Sequence, residues 1–223
     1  MKIYKLPERR RTERILLIFD MDGTLYTNET YLRSQTDLLV ERLAALKGKD
    51  PAELGEEIAR FRESRVRENP GKSPSLSLIL ESFGVSMEEN IRWREELYRP
   101  EAHLEGDARL RETLLLLSGQ YKLALLTNNP LSIARRTLRC LGLEAVFPVL
   151  VGLDSCMVSK PHEIPFRKAA EESGAAAEGC VSIGDRYEID LALPLEMGMG
   201  GILVEGVEDV YRLPRALEAG LEA

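Results

Sequence analysis

The chain has 223 residues, of which 44% are hydrophobic and 30% are charged, and its net charge is −7. These values predict a soluble globular protein with one large domain or one domain carrying an insertion. The acidic balance argues against binding to a nucleic acid polymer, despite the short basic run Arg9-Arg10-Arg11. Because the sequence has no apolar run of membrane-spanning length, no signal-peptide pattern and no Cys-x-x-Cys spacing, we predict a cytoplasmic protein without a membrane partner.

The first predicted strand of the core is the apolar run Ile15–Phe19. A continuous apolar run of this length is typical of a strand that is buried on both faces of a parallel sheet. The run ends at Asp20, and the following Asp22-Gly23-Thr24 has the composition of a turn. The sequence therefore predicts a buried strand that leads directly into a turn with two carboxylates.

A helical pattern replaces the strand pattern between Thr30 and Pro100. Apolar spacing predicts helices over residues 32–46, 51–68, 76–83 and 87–97, with a break at residues 70–74. About 70 residues without a strand are too many for an ordinary crossover loop. We therefore predict a helical cap that linkers near residues 26–28 and 103–106 join to the core. Its cations are candidate substrate contacts, although such residues usually form a solvated face: Arg33, Arg65, Lys72, Arg92 and Arg99.

Strands and helices alternate in the rest of the chain. The predicted strands cover residues 121–126, 147–152, 181–183 and 201–204, and the predicted helices cover residues 107–117, 131–141, 161–173 and 189–197. This alternation predicts an α/β fold, a doubly wound Rossmann-like parallel sheet with an inserted all-helical cap domain. The catalytic core would comprise residues 1–28 and 105–223, and the cap domain residues 29–104.

Polar residues follow the predicted strands at the points where the strands end. They are Asp20, Asp22, Thr24, Thr127, Asn128, Ser159, Lys160, Asp185 and Asp190. Ligands of open parallel sheets bind beyond the carboxyl ends of the strands, so we expect these side chains to meet at one edge. Several buried carboxylates need a counter-ion, and Mg²⁺ with oxygen ligands is the usual one beside phosphate. The sequence therefore predicts a Mg²⁺ site at this edge.

Four segments in this order resemble the four signatures of the haloacid-dehalogenase-like hydrolase superfamily. They are Ile18-Phe19-Asp20-Met21-Asp22-Gly23-Thr24-Leu25-Tyr26, Leu126-Thr127-Asn128-Asn129, Ser159-Lys160-Pro161, and Ile183-Gly184-Asp185 with Asp190. Each segment follows a predicted strand, and the helical insert falls where members with a helical, C1-type cap carry theirs. The resemblance implies a phosphoric monoester hydrolase that forms an aspartyl-phosphate intermediate.

The resemblance also implies a role for each catalytic residue. Asp20 is implied as the nucleophile, and Asp22 as the general acid to the leaving alcohol and then the general base to the attacking water. Lys160 is implied to bridge Asp20 and the phosphate, and Thr127 to donate a hydrogen bond to a phosphoryl oxygen.

Two further groups of residues follow from the same resemblance. The implied phosphate-binding groups are Gly23 with the backbone of its loop, Thr127, Asn128 and Lys160. The implied metal ligands are the Asp20 side chain, the Asp22 backbone carbonyl, Asp185 and Asp190, the last either directly or through a water.

Three alternative functions differ in how well they agree with the sequence. A 2-haloacid dehalogenase needs no general acid at the second position and no metal, so Asp22 argues against it. A non-catalytic phosphate-binding module would be expected to lack a motif residue, and none is missing. A phosphosugar mutase keeps both aspartates, so the sequence does not exclude this function.

The expected partner is a small-molecule phosphate ester, and the first motif resembles both the phosphoglycolate-phosphatase and the pyrimidine-nucleotidase branches. The chain is expected to be a monomer or homodimer.

Overall fold

The computed structural model describes residues 1–7, 14–68 and 73–221. The basic run Arg9-Arg10-Arg11, Lys72 and most of the predicted break at residues 70–74 lie outside these residues. Among the described residues, no helix combines the length and the apolar composition that a membrane span requires.

A six-stranded sheet forms the centre of the fold. Its strands are β1 Lys2–Lys5, β2 Leu16–Phe19, β3 Lys122–Leu126, β4 Val149–Val151, β5 Cys180–Gly184 and β6 Gly200–Leu203. Their order is β1-β6-β5-β2-β3-β4, and every neighbouring pair is parallel except β1 with β6. This mostly parallel sheet confirms the predicted α/β fold and puts β2, which ends at Asp20, near the middle.

In the described part of the chain, four α-helices make up the insert that follows β2. They are α1 Glu29–Lys47, α2 Pro51–Glu68, α3 Leu76–Ser82 and α4 Met87–Leu97. Their buried apolar side chains form a cluster of their own, which includes Leu39, Leu54 and Trp93 and extends to Ile133 of the core. Side chains cap the amino termini of α1 and α3. The Asn28 side chain accepts a hydrogen bond from the Tyr31 backbone amide, and the Ser75 side chain accepts one from the Leu78 backbone amide.

The remaining helices cover both faces of the sheet. They are α5 Ala108–Ser118, α6 Leu131–Leu141, α7 Leu153–Cys156, α8 Glu163–Glu172, α9 Ala192–Glu196, α10 Val207–Val210 and α11 Leu213–Leu221. Alternate side chains of β2 point to opposite faces, as expected of a strand. Leu17 and Phe19 pack with side chains of α5 and α6, whereas Leu16 and Ile18 pack with side chains of α8. Burial on both faces is the reason for the continuous apolar run in β2.

The differences from the sequence prediction include the short helix α7, which was not predicted, the strand β1 and the helix expected over residues 189–197. The strand β1 was not predicted, because its exposed Lys-Ile-Tyr-Lys sequence has the charge of an edge strand rather than an apolar run. The helix predicted over residues 189–197 is instead a π-helical turn over Tyr187–Leu191 followed by the short helix α9. Such turns often occur at functional sites, and this one contains Asp190.

Candidate active site

A lysine and three carboxylates meet at the carboxyl edge of the sheet. Asp20 follows β2, Asp185 follows β5, and Asp190 lies in the π-helical turn. One oxygen from each of these three carboxylates lies within 4.8 Å of the others. The backbone amide of Asp20 donates to the carbonyl of Ile183 (2.8 Å), so the hydrogen bonds of the sheet fix the start of the loop. The structure thus brings together four of the residues that the sequence singled out.

Lys160 joins two of the carboxylates. Its Nζ donates to Asp20 Oδ1 (2.6 Å), to Asp190 Oδ1 (2.7 Å) and to the Leu126 carbonyl (2.9 Å). Its three N–H groups are therefore all used. Burial alone would lower the pKa of Lys160, but the two carboxylates outweigh burial and raise that pKa above its ordinary value. The lysine is therefore held in its cationic form.

Among the described residues, no second cation compensates the remaining negative charge of the cluster as fully as Lys160 does. Burial raises the pKa of Asp20 to about 7, with Lys160 opposing the shift and Asp190 adding to it. Burial likewise raises the pKa of Asp185 to about 6, although Arg186 opposes that shift. The Arg186 side chain is 46% exposed, with its Nε 3.7 Å from Asp185 Oδ1, so solvent weakens its compensation. A hard divalent cation would supply the missing charge.

The oxygen atoms of the cluster also suit a metal ion. Asp20 Oδ2 and Asp185 Oδ1 are buried and have no hydrogen-bond partner among the described residues. Both oxygens of Asp190 are occupied, since Oδ1 accepts from Lys160 and Oδ2 accepts from the Arg186 amide (3.1 Å). Unpaired carboxylate oxygens are the ligands that Mg²⁺ prefers, so the residues fit such an ion. Of the three carboxylates, Asp20 and Asp185 therefore have a buried oxygen without a hydrogen-bond partner among the described residues, which Asp190 does not.

Gly23 allows the loop after β2 to pass close to Asp185. Its φ is +80°, and a Cβ at this position would lie 2.5 Å from Asp185 Oδ2. Only a residue without a side chain meets both requirements. The neighbouring Thr24 hydroxyl is buried and has no hydrogen-bond partner among the described residues. The backbone conformation and the close approach to Asp185 therefore require glycine at position 23, whether or not this residue contacts a ligand.

Thr127 and Asn128 follow β3 but differ in what they contact. The Thr127 hydroxyl oxygen accepts from the Asn129 amide (3.1 Å), which leaves its hydrogen available as a donor. The Asn128 side chain accepts from the Lys160 amide (2.7 Å) and donates to the Lys160 carbonyl (3.1 Å). Asn128 thus holds the backbone of the Lys160 loop, a contact that the sequence did not indicate.

Both oxygens of the Asp22 carboxylate accept hydrogen bonds from neutral side chains. Tyr26 and Gln35 donate to Oδ1, the latter at 3.2 Å, and Asn129 Nδ2 donates to Oδ2 (2.7 Å). Burial and the neighbouring carboxylate raise the pKa of Tyr26 well above its ordinary value, so its hydroxyl stays protonated and remains a donor. Since Gln35 belongs to α1, the helical insert contributes directly to holding Asp22.

The arginine of the insert that reaches this region is Arg94 of α4. It is buried, and its Nη1 donates to Asn129 Oδ1 (2.8 Å), so one amide side chain separates the guanidinium from Asp22. A cavity of about 230 Å³ lies here between insert and core. Arg94, Asp22, Asn128, Asp185 and Arg186 are among the residues that line it.

The sequence pattern contained only a weak signal for Arg94. Asn90, Arg94 and Tyr98 recur every four residues and therefore share one side of the helical chain. Arg94 Nε donates to Asn90 Oδ1 (2.9 Å), and its Nη1 lies 3.3 Å from the Tyr98 hydroxyl.

The sequence had named other cations of the insert as candidate substrate contacts. Those that the structure describes are all exposed, as expected of a solvated face: Arg33, Arg65, Arg92 and Arg99.

The comparisons with known proteins agree with this geometry. The family model for haloacid dehalogenase-like hydrolases matches residues 16–198, which include β2, the helical insert and the four motif segments. The chain belongs to this family. The prediction of that superfamily is therefore confirmed, and the chain is an enzyme of the hydrolase class.

Curated relatives of this haloacid dehalogenase-like hydrolase carry phosphatase names. A phosphoglycolate phosphatase of Xanthomonas campestris pv. campestris is 29% identical over 191 residues, which cover 83% of this chain and 80% of that protein. The pyrophosphatase PpaX of Listeria innocua is 27% identical over 177 residues, covering 77% and 74% respectively. A phosphoglycolate phosphatase of Colwellia psychrerythraea is 36% identical over 72 residues, only 32% of each chain. These names agree with the predicted phosphoric monoester hydrolase.

Solved structures share the fold at lower sequence identity. A HAD phosphatase from Thermococcus onnurineus has a TM-score of 0.60 at 20% identity, covering 91% of this chain and 97% of that chain. A 2-haloacid dehalogenase from Pseudomonas syringae pv. Tomato has a TM-score of 0.56 at 19% identity, covering 93% and 99%. Because both phosphatases and dehalogenases have this fold, the choice between them depends on the residues of the site.

Proposed function

We propose that this hydrolase is a Mg²⁺-dependent phosphatase that cleaves a small-molecule phosphate monoester through an aspartyl-phosphate on Asp20. The observation that carries the proposal is the state of the Asp20 carboxylate. Lys160 holds Oδ1 at 2.6 Å, while the buried Oδ2 has no partner among the described residues. A carboxylate fixed at one oxygen and free at the other is ready both to bind a cation and to attack an electrophile.

The reaction has two steps. An oxygen of Asp20 attacks phosphorus and forms an acyl phosphate, while the bond to the leaving alkoxide breaks and Asp22 donates its proton to that oxygen. Asp22 then takes a proton from a water that attacks the acyl phosphate. The products are the free alcohol and inorganic phosphate, and Asp20 is regenerated as a carboxylate.

The other residues neutralise and orient the charge. Lys160 offsets charge on Asp20, and the free hydroxyl hydrogen of Thr127 is a donor for a phosphoryl oxygen. Asn128 fixes the loop that carries Lys160, and it faces the same cavity as Asp22. Gly23 allows the backbone of the loop to approach the site closely, where its amides are candidate phosphate donors.

Mg²⁺ would be held by Asp20, Asp185 and the backbone carbonyl of Asp22, with Asp190 in contact directly or through a water. A bound Mg²⁺ supplies positive charge that lowers the repulsion between a phosphate and the nearby carboxylates. The orphaned oxygens of Asp20 and Asp185 support this assignment.

The helical insert is assigned to residues 29–104 as a cap domain, with residues 1–28 and 105–223 as the catalytic core. The separate apolar cluster of the insert supports this division. Gln35 and Arg94 would bring cap side chains to the reacting groups, so closing the cap would both exclude water and complete the site.

The presence of Asp22 at hydrogen-bond distance from three donors favours a phosphatase over a dehalogenase. A dehalogenase of this fold requires no acid at that position. A phosphosugar mutase would use the same pair of aspartates, and the two functions differ in whether inorganic phosphate is released.

The decisive test is hydrolysis of p-nitrophenyl phosphate by the purified chain with and without Mg²⁺, followed by a panel of natural phosphate esters. We expect metal-dependent release of inorganic phosphate, with phosphoglycolate and pyrophosphate included because relatives carry those names. Isomerisation of a phosphosugar without release of phosphate would identify a mutase instead. No turnover with any divalent metal would refute the enzyme assignment.

A further inference from the structure

The side chain of Arg94 is a buried cation that has no acidic partner among the residues that the structure describes. The residue is 5% exposed. Within the described parts of the chain, none of the ion pairs includes Arg94, whereas ten other arginines there each pair with a carboxylate. A guanidinium cannot lose its proton at any ordinary pH. Its burial therefore costs free energy unless an anion compensates for it.

The hydrogen bonds of Arg94 do not use all of its donors. Nε donates to Asn90, and Nη1 contacts Asn129 and Tyr98. Nη2 has only a long contact of 3.4 Å to the Ser77 hydroxyl, which leaves one of its two N–H groups without an acceptor among the described residues. All four partners are neutral. The protein thus positions the guanidinium firmly but leaves its charge and one donor for another group.

The place of Arg94 determines where such a group would lie. Arg94 lines the cavity that Asp22 also lines, and the Asn129 side chain touches both residues. Asp22 is assigned as the acid to the leaving alcohol, so Arg94 lies on the leaving-group side of the phosphate. The separation of a single amide side chain suits a leaving group of only a few atoms.

We propose that Arg94 binds a second anionic group, a carboxylate or a phosphate, that belongs to the leaving group of the substrate. The inference rests on the proposed phosphatase function and narrows its substrate class to compact phosphate esters or anhydrides with an anionic leaving group. Arginine suits both anions because its planar fork forms paired hydrogen bonds with either of them. A nucleoside monophosphate, whose leaving nucleoside is neutral, does not provide the required charge.

The first experiment compares matched substrates with the unmodified chain. Phosphoglycolate and 2-hydroxyethyl phosphate have a carboxylate and a neutral hydroxyl, respectively, at the same end of the leaving group. Ethane-1,2-diyl bisphosphate and 2-methoxyethyl phosphate provide the corresponding pair of esters for phosphate. We expect kcat/KM to be higher for one anionic member by roughly 30-fold or more, the effect of a buried charge pair. The pair that shows the preference identifies the anion. Equal kcat/KM values within both pairs would overturn the proposal.

The second experiment uses three substitutions at two arginines. Arg94→Met removes the charge, Arg94→Lys keeps it without the planar fork, and Arg92→Met is the control on the exposed side of the same helix. We expect Arg94→Met to lose at least tenfold more kcat/KM on the preferred anionic substrate than on its neutral partner, mainly through KM, with partial rescue by Arg94→Lys. Arg92→Met should leave the ratio unchanged. An equal loss on both substrates would mean that Arg94 only supports the fold of the site.

Two further measurements keep the outcomes separate. If Arg94→Met does not fold, as judged by its thermal unfolding, the substrate ratio of the unmodified chain and of Arg94→Lys still decides. Arg186→Met tests the rival cation at the cavity, and transfer of the whole preference to Arg186 would overturn the assignment to Arg94. Metal-dependent hydrolysis of the neutral esters without any preference would refute this inference alone. Absence of hydrolysis of every ester and of p-nitrophenyl phosphate would refute the proposed function itself.

Discussion

On the sheet side of the candidate active site, charged groups contact one another, whereas on the cap side the carboxylate of Asp22 accepts hydrogen bonds from neutral donors. Lys160 lies between Asp20 and Asp190, and all three lie at the carboxyl edge of the sheet. Asp22 is bonded to Tyr26, Gln35 and Asn129, and one of these donors comes from the helical insert. In the proposed mechanism the contrast corresponds to two tasks, because one side would hold phosphate and metal and the other would move a proton.

The two sides also differ in how an alteration would act. The sheet side depends on charge, so replacing a carboxylate by its amide changes the chemistry with little change in shape. The cap side depends on direction, so removing a single donor leaves the acid present but less well oriented. Substitutions on the sheet side should therefore have the larger effects.

The largest effect is expected from Asp20→Asn. The amide keeps the size of the side chain and a contact with Lys160, but it is a poor nucleophile and a weaker metal ligand. We expect kcat to fall roughly a thousandfold or more, as for other catalytic nucleophiles, with the fold intact by circular dichroism. Asp37→Asn, at an exposed position of α1, is the control for the loss of one carboxylate. Near-normal activity of the Asp20 variant would remove the nucleophile assignment.

The next effect concerns metal dependence and separates Asp185 from Asp20. Asp185→Asn removes the charge of a carboxylate whose buried Oδ1 has no hydrogen-bond partner among the described residues, so Mg²⁺ should bind at least about tenfold more weakly. The concentration of Mg²⁺ that gives half-maximal activity, together with calorimetric titration of Mg²⁺, measures the change. Excess Mg²⁺ should restore part of the activity, which it should not do for Asp20→Asn. An unchanged requirement would exclude Asp185 from the metal site.

The sheet side was largely predictable from the sequence, and the cap side was not. Asp20, Lys160 and Asp185 follow strands of a parallel sheet, and such a sheet brings strand ends to one edge regardless of chain separation. Gln35 and Arg94 lie on helices, where periodicity indicates which residues share a face but not what that face contacts. A charged residue on a helix has the same pattern whether it meets water or a cavity, so Arg94 resembled the solvated Arg92.

The local geometry at two other positions, Asp190 and Asn128, could not be predicted from the sequence pattern either. Asp190 was predicted at the site but on an ordinary helix, whereas a π-helical turn presents it. Periodicity cannot indicate such a turn because it changes the direction of one side chain and leaves the apolar spacing almost unaltered. The side chain of Asn128 was predicted to contact phosphate, and its bonds to the Lys160 backbone depend on a loop whose course no motif specifies.

A matched pair of glycine substitutions separates backbone strain from crowding at the metal site. Gly23 and Gly48 both have positive φ, but a Cβ at Gly48 would have no atom within 4 Å, whereas at Gly23 it would lie 2.5 Å from Asp185 Oδ2. Alanine should cost about 1 kcal/mol of unfolding free energy at Gly48, with activity unchanged. Gly23→Ala should cost more and should also raise the Mg²⁺ requirement, because Asp185 must move. Urea unfolding and metal titration measure the two effects, and identical results at both glycines would contradict the role of close approach.

The smallest effect tests the cap side through a pair of tyrosines. Tyr26→Phe removes a donor to Asp22, whereas Tyr31→Phe removes a hydroxyl that has no partner among the described residues. Because Tyr26→Phe loses one hydrogen bond, its kcat/KM should fall roughly five- to tenfold. The kcat/KM of Tyr31→Phe should remain close to that of the unmodified enzyme. The loss should be clear for an alkyl phosphate, whose leaving oxygen needs a proton, and small for p-nitrophenyl phosphate, whose leaving group departs without one. Equal losses on the two substrates would show that Tyr26 supports the site without orienting Asp22 as an acid, and the contrast between the two sides would then be one of packing rather than proton transfer.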